Sequence, residues 1–542
     1  MAARDRWLLF VRRGRNRWVA AYFAWFLLPL VLDSLYRPFA LWDYLTAADL
    51  FHFGLPIEWR RLAGNAFHHL LTGTFVVRPS TALLYDLQVL LFGGEFWIWY
   101  LVKWAALGAS AGLAVILMRR MGCGWEAQTA GLSLLLFHPA RFTLMLHAPD
   151  GWLALGICAQ LVLLWRYEFR VSEMTASTQV LWFALALFTI GTKEAGFVFQ
   201  GLLTMFVLAR GPSSWMRLLP HGALLGVWIW RLQAASSRAG GFVLGEWMGR
   251  VREQSAMLLP ASTLHAFELM LLGLAGYSIV IAWKRRGEVF GQTMLFCWAA
   301  VVCMVAFVTV PKLVALRYAV PMVYLAVIPM GVAVQQMGRY RGLVAAALVA
   351  AYPLVTAGHV YRQEVDYRDQ TYQTAELVRR METKARAGCK LVVSGSAADI
   401  GGEFLGSLDF YFGERGLEWY GLREARVLHR AREKGWPAEC FAMASYFGPE
   451  LMDRESGLDL RRVERLEVLH SGDMGALGRM TDWYLRFDRM VRRPGSYTID
   501  LGAPEPTMQP RFYLYTAGPA GTVREGGWIH EPVAVGRRAG AF

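Results

Sequence analysis

Eleven apolar runs decide most of what this chain can become. They lie near 18–36, 97–118, 126–141, 151–166, 177–192, 195–210, 218–235, 263–283, 290–310, 317–337 and 341–358. A helix crosses about 30 Å of hydrocarbon with about 20 mostly apolar residues, at about 1.5 Å each. No water satisfies the backbone inside that layer, so a crossing segment must close its own hydrogen bonds. The runs predict a polytopic α-helical membrane protein of about eleven transmembrane helices. The boundaries within 177–210 are the softest, because the runs there almost merge.

Cations give a second count. Arg4, Arg6, Arg12, Arg13, Arg15 and Arg17 precede the first run. Arg119-Arg120, Arg166 with Arg170, Arg210 with Arg217, Lys284-Arg285-Arg286, and Arg339 with Arg341 fall in alternate connections. Short loops rich in Lys and Arg stay cytoplasmic, which puts the N-terminus inside. An odd number of spans then carries 359–542 outside. No small-residue cleavage site follows the first run, so it reads as an uncleaved anchor.

Composition agrees. The chain of 542 residues is 55% hydrophobic and only 18% charged, too apolar for an ordinary soluble protein. Its 22 Trp and 21 Tyr suit rings that anchor helices at the membrane interface. The net charge of +14 sits largely beside the apolar runs, so it reports topology and not a nucleic-acid partner.

Two stretches differ. Segment 37–96 mixes basic and apolar residues at roughly helical spacing from Trp59 to Leu71, and Thr81 to Phe92 looks similarly amphipathic. Both predict interfacial helices lying along the membrane, or else a small packed ectodomain. After Tyr361 the chain becomes charged and mixed. Lys390–Ser394 and Phe512–Tyr515 read as strands, and Ser471-Gly-Asp and Arg493-Pro-Gly as turns. The organisation is a transmembrane part, 1–358, and a small C-terminal α/β extracytoplasmic domain, 359–542. Of six cysteines, Cys158, Cys297 and Cys303 lie in apolar runs and read as packing residues. Cys389 and Cys440 can form a disulfide if their segment is exported.

Several residues able to carry chemistry fall at one end of successive spans. They are Asp43, with Asp49 near it, Arg78, His138, Asp150, the Lys193-Glu194 pair, and Lys312 with Arg317. A carboxylate there can accept a proton from an acceptor nucleophile, or hold a metal. A lone Asp is more often a cap, and Asp150 is placed to be the N-cap of the fourth span. His138 can donate to a phosphate or sugar, while His138-Pro139 also suits the end of a span. Ionisable groups in a membrane are costly and point to function, which singles out Lys193 and Glu194. Arg offers a planar fork that fits phosphate oxygens, although cations at span ends also snorkel. No nucleophile elbow, Walker loop or zinc-protease motif is present in the sequence.

The motifs, in this order, resemble the C-type glycosyltransferase superfamily, and its protein O-mannosyltransferase-like branch in particular. Leu41-Trp-Asp43-Tyr stands where that family has its acidic motif, and Val77-Arg78-Pro79 where it has Arg-Pro. Leu135-Leu-Phe-His-Pro139 with Asp150, Thr192-Lys193-Glu194, and Arg317-Tyr318 with Pro321 complete the set over about 18–335. Many relatives carry two adjacent acids where this chain has Asp43-Tyr44, and the tetratricopeptide repeats of the branch are absent from the sequence.

The resemblance implies transfer of a sugar such as mannose from a polyprenyl-phosphate donor to an extracytoplasmic acceptor, with protein first among the acceptors. Asp43 would activate or orient the acceptor. Arg317, with Lys193 or Arg78, would stabilise the departing lipid phosphate. Asp150 and His138 would position substrate, with Asp49, Glu194 and Lys312 supporting. The lipid-linked sugar is the expected donor, membrane lipid surrounds the prenyl chain, and a divalent metal stays open. The alternatives are a glycolipid or glycan glycosyltransferase of the same fold, a lipid-linked-sugar transporter, and a non-catalytic membrane partner.

Overall fold

A computed structural model describes residues 58–72, 78–92, 96–138, 149–212, 215–236, 244–256, 258, 265–309, 318–353, 356, 373, 376–394, 419–420, 436–445, 458–471, 512–520 and 529–535. The run near 18–36 lies outside them. So do Asp43, Asp49, Lys312, Arg317, and the turn at Arg493-Pro-Gly.

Helices occupy the other ten apolar intervals. After α1 (Leu62–Thr72) and α2 (Pro79–Phe92) come α3 (Phe96–Arg120), α4 (Trp125–Leu136), α5 (Asp150–Trp165) and α6 (Ala176–Thr192). These are followed by α7 (Glu194–Arg210), α8 (Trp215–Ser236), α9 (Leu244–Ala256), α10 (His265–Lys284), α11 (Val289–Val308) and α12 (Ala319–Gln336). Finally α13 (Arg341–Ala346) runs into a π-helical turn, Ala347–Ala351. Among the described residues, Ile98–Arg120, Val289–Val308 and Ala319–Gln336 are long and apolar enough to cross a membrane, with mean hydropathies of 1.8, 1.9 and 1.5. Asp150–Trp165, Ala176–Thr192 and Leu269–Lys284 are apolar but shorter.

α4 is shorter than its apolar run. It ends at Leu136, and Phe137 caps it. Pro139 disfavours helix at His138, which accounts for the early stop. At about 1.5 Å per residue, such a helix spans too little to cross on its own.

The bundle is built inside out. Val180, Met205, Leu269 and Val302 face outward with more than 60% of their surface bare. Gln160, Thr189, Gln200, Ser133 and Thr129 are buried. In hydrocarbon, apolar side chains lose nothing by facing out, while polar ones are worth most between helices. α2 follows the same rule. It buries Thr81, Tyr85, Asp86 and Gln88 and leaves Leu91 exposed, so its polar face is the inward one. Asn65 on α1 donates to Asp86 across 3.0 Å and ties the two helices.

α12 is the central helix, packed against α3, α4, α5, α10 and α11. Met118 of α3 wedges between Gly131 of α4 and Gly331 of α12, where a Cβ would strike its thioether. α9 has no apolar run and escaped the sequence reading. Its Trp247 and Arg250 donate to the carbonyls of Ala306 and Thr309, at 3.2 and 3.0 Å, and so satisfy the open end of α11.

Residues 390–535 hold a mixed six-stranded sheet: β1 (Lys390–Ser394), β2 (Trp419–Tyr420), β3 (Phe441–Ser445), β4 (Val463–Ser471), β5 (Phe512–Ala517) and β6 (Ile529–Val535). The order is β2-β1-β3-β5-β4-β6, parallel except where β5 pairs with β3 and β4. Val392, Phe441, Met443, Leu466, Val468 and Tyr515 form its core. Arg380, on a helix at 376–386, pairs with Glu376 at 2.7 Å and with the buried Glu467 of β4. Cys389 and Cys440, at the heads of the neighbouring β1 and β3, are disulfide-bonded with their Cα atoms 4.6 Å apart.

Candidate active site

Four of the expected residues meet at one end of the bundle. α6 and α7 are joined by a single residue, Lys193, which is extended and caps both helices. So sharp a reversal requires the two backbones to touch. A Cβ on Gly196 would collide with the carbonyl of Thr189, so glycine is what permits the turn. Gly191 likewise makes room for Ser80 on the first turn of α2. Thr81 then donates to the carbonyl of Thr192 across 2.7 Å, satisfying a helix-end group and fixing α2 here.

This junction places Lys193 and Glu194 side by side in sequence but gives them different partners. Lys193 Nζ donates to Asp150 Oδ1 at the start of α5. Glu194 accepts a forked pair of bonds from Arg78, 3.1 Å from Nε and 2.9 Å from Nη2. The expected Lys-Glu pair is thus two crossed ion pairs. Lys193 Nζ also lies 3.9 Å from the ring centre of Tyr318, just ahead of α12. Tyr318 belongs to the Arg317-Tyr318 motif, but a ring has no charge to draw attention in a sequence.

Burial decides what these groups can do. The Lys193 and Asp150 side chains are only 4% and 1% exposed. Asp150 is not an N-cap: Pro149 takes that position, and no side chain caps the helix. Its carboxylate bonds Lys193 through Oδ1, while Oδ2 is buried and unpartnered among the described residues. An orphaned carboxylate oxygen is costly and is a ready acceptor for a substrate hydroxyl or amine.

His138 stands apart from these four contacts. Its Nε2 faces the carbonyl of Leu258 at 3.1 Å, and since a carbonyl only accepts, that nitrogen carries the proton. The ring lines an apolar cavity of about 190 Å³ with Leu134, Leu271, Trp298, Val327 and Tyr352. Among the described residues no group of three or more His, Cys, Asp or Glu could hold a metal ion.

No family model and no curated protein matches the chain. Solved structures do. Apo ArnT from Cupriavidus metallidurans superposes with a TM-score of 0.51 at 14% identity, over 84% of this chain and 96% of that one. The chain has an ArnT-like fold. ArnT bound to undecaprenyl phosphate, from the same organism, gives a TM-score of 0.49 at 12% identity, over 93% and 99%. At this identity the likeness to apo ArnT is one of fold alone. The ArnT-like fold brings Arg78, Asp150, Lys193 and Glu194 to one place, from positions up to 116 residues apart.

Proposed function

We propose that the chain is an integral-membrane glycosyltransferase that moves a sugar from a polyprenyl-phosphate donor to an acceptor outside the cytoplasm. The observation that carries this reading is the buried, unpartnered Oδ2 of Asp150 beside Lys193, at the helix ends of an ArnT-like fold. The disulfide between Cys389 and Cys440 supports an oxidising compartment for 359–542, and so agrees with the charge pattern of the loops.

In this reading the acceptor nucleophile attacks the anomeric carbon, and the bond from that carbon to the phosphate oxygen breaks. The acceptor's proton passes to a carboxylate, and the lipid phosphate leaves with the bonding electrons. Asp150 Oδ2 holds the acceptor by hydrogen bond, and Asp43 is the sequence candidate for the general base. Arg78, Lys193, Asp150 and Glu194 cancel in formal charge, so a bound phosphate calls for a further cation. Arg317, adjacent to Tyr318, is the candidate, supported by Lys312. Apolar surface between the helices accommodates the prenyl chain.

The test is sugar transfer by the purified protein in liposomes with a panel of polyprenyl-phosphate sugars, mannose included, and protein, glycan and lipid acceptors. Wild type is compared with Asp150→Asn and Asp43→Asn. Turnover of one donor that falls at least about 100-fold in Asp150→Asn, with folding unchanged, supports the reading. No turnover with any donor by wild type overturns it.

A further inference from the structure

The contact between Lys193 and Asp150 depends on how far α6 is slid along α5. A shift of one residue moves a helix about 1.5 Å along its axis, enough to break an ion pair. Something must therefore fix the register of these two helices, and one residue lies where it could do so. Thr189, four residues before Lys193, is wholly buried. Its hydroxyl donates to the Leu185 carbonyl at 2.6 Å and accepts from Gln160 Nε2 of α5 at 2.8 Å. Gln160 in turn accepts from Trp182 Nε1 at 3.0 Å, so both ends of its amide are used. Above this bond, Gly156 of α5 sits so close to Thr189 that a Cβ would lie 2.5 Å from its hydroxyl oxygen. On the same side, toward the site, the first turn of α7 rests on the Thr189 carbonyl through Gly196.

Three helices thus meet on one threonine. The Gln160 bond is directional and both partners are wholly buried, so sliding leaves the Gln160 amide donor without its acceptor. The glycine contacts alone would allow rotation and slip, because close-packed small residues have no preferred register.

We infer that the Gln160–Thr189 hydrogen bond is a register clamp that holds Lys193 on Asp150, making Thr189 and Gln160 positioning residues for the site. The inference goes beyond the glycosyltransferase reading and relies on it only for the claim that the pair serves transfer. Thr189→Val keeps the shape and removes the hydroxyl. Thr189→Ser restores it, and Gln160→Leu removes the other partner.

The first readout is the rate at which an amine-acylating reagent modifies Lys193, followed by mass spectrometry on the full-length protein in detergent. The exposed Lys284 serves as the internal control. Thr189→Val and Gln160→Leu are expected to speed Lys193 modification about fivefold, the loss of one buried hydrogen bond, while Thr189→Ser stays near wild type. Lys284 stays unchanged in all three. No acceleration at Lys193, or equal acceleration at Lys284, overturns the clamp. Where transfer is measurable, Thr189→Val lowers kcat and shifts its pH profile, and Thr189→Ser restores both. An unchanged profile in Thr189→Val overturns the positioning role. Should wild type transfer no sugar, the glycosyltransferase reading falls while the labelling rates still decide the clamp.

Discussion

Removing Lys193 should be far more damaging than removing both members of its pair. The Lys193→Met variant leaves Asp150 with a buried carboxylate, 1% exposed in the native chain, and no cation on Oδ1. Breaking a buried ion pair by deleting one partner costs about 3–5 kcal/mol, because the survivor keeps its desolvation penalty. Lys193→Met also forfeits the contact with Tyr318 at 3.9 Å, a cation–π interaction of about 0.5–2 kcal/mol. The double variant Asp150→Asn/Lys193→Met removes the stranded charge and should recover most of the ion-pair loss but none of the Tyr318 contribution. Tyr318→Leu measures that contribution separately. The assay is a double-mutant cycle by reversible unfolding in mixed micelles, with transfer activity followed in parallel. A coupling of at least about 2 kcal/mol is expected. If the double variant is as unstable as the sum of its two singles, the pair does not interact and the reasoning fails.

Other outcomes follow from single contacts. Arg78→Lys replaces a fork that reaches both Glu194 oxygens with a point charge, and should lower activity at least about tenfold while charge is conserved, as read from kcat/KM. Gly196→Ala pushes a methyl into the Thr189 carbonyl and should cost at least about 2 kcal/mol, visible as a lower melting temperature. The Cys389–Cys440 bridge closes a separation of 51 residues, so Cys389→Ser/Cys440→Ser should destabilise the sheet by about 4 kcal/mol, measured by proteolysis of 359–542. Burial works to raise the Glu376 carboxyl, but hydrogen bonds from Arg379 and Arg380 outweigh it and hold the group below its ordinary range. Its stabilising effect is present above the ordinary carboxylate pKa and fades as pH falls through the lowered value, so Glu376→Gln should flatten the acid side of the sheet's stability curve.

The helices were legible because hydrophobicity along a chain survives any tertiary arrangement. α3, α5, α6, α7 and α11 begin and end within about two residues of their apolar runs, the usual uncertainty of helix ends. α9 was not legible. Its inward residues are Trp247, Arg250, Val251 and Gln254, a face made for hydrogen-bonding another helix's end and not for hydrocarbon. The amphipathic pattern of α2 does not say which face turns inward, and the structure buries the polar one, with Thr81, Asp86 and Gln88. Ionisable residues at span ends were easy to find, because few occur among apolar runs. Their pairing was not. Lys193 and Glu194 adjoin in sequence, and only the reversal between α6 and α7 sends one to Asp150 and the other to Arg78.

The single-residue junction at Lys193 has an electrostatic consequence. α2, α5, α7 and α12 begin beside these four side chains, and α6 ends beside them. A helix carries about half a positive elementary charge at its start and half a negative one at its finish, from the aligned dipoles of its peptide groups. Four starts and one finish leave about +1.5 before any side chain is counted. α5, α7 and α12 have no side-chain cap on their first turns, so their amide hydrogens retain that field. Asp150 and Glu194 balance Lys193 and Arg78, and the helix starts add a positive backbone field where these four side chains meet. Neutralising Arg78 or Lys193 would weaken the pull on an anion there without abolishing it.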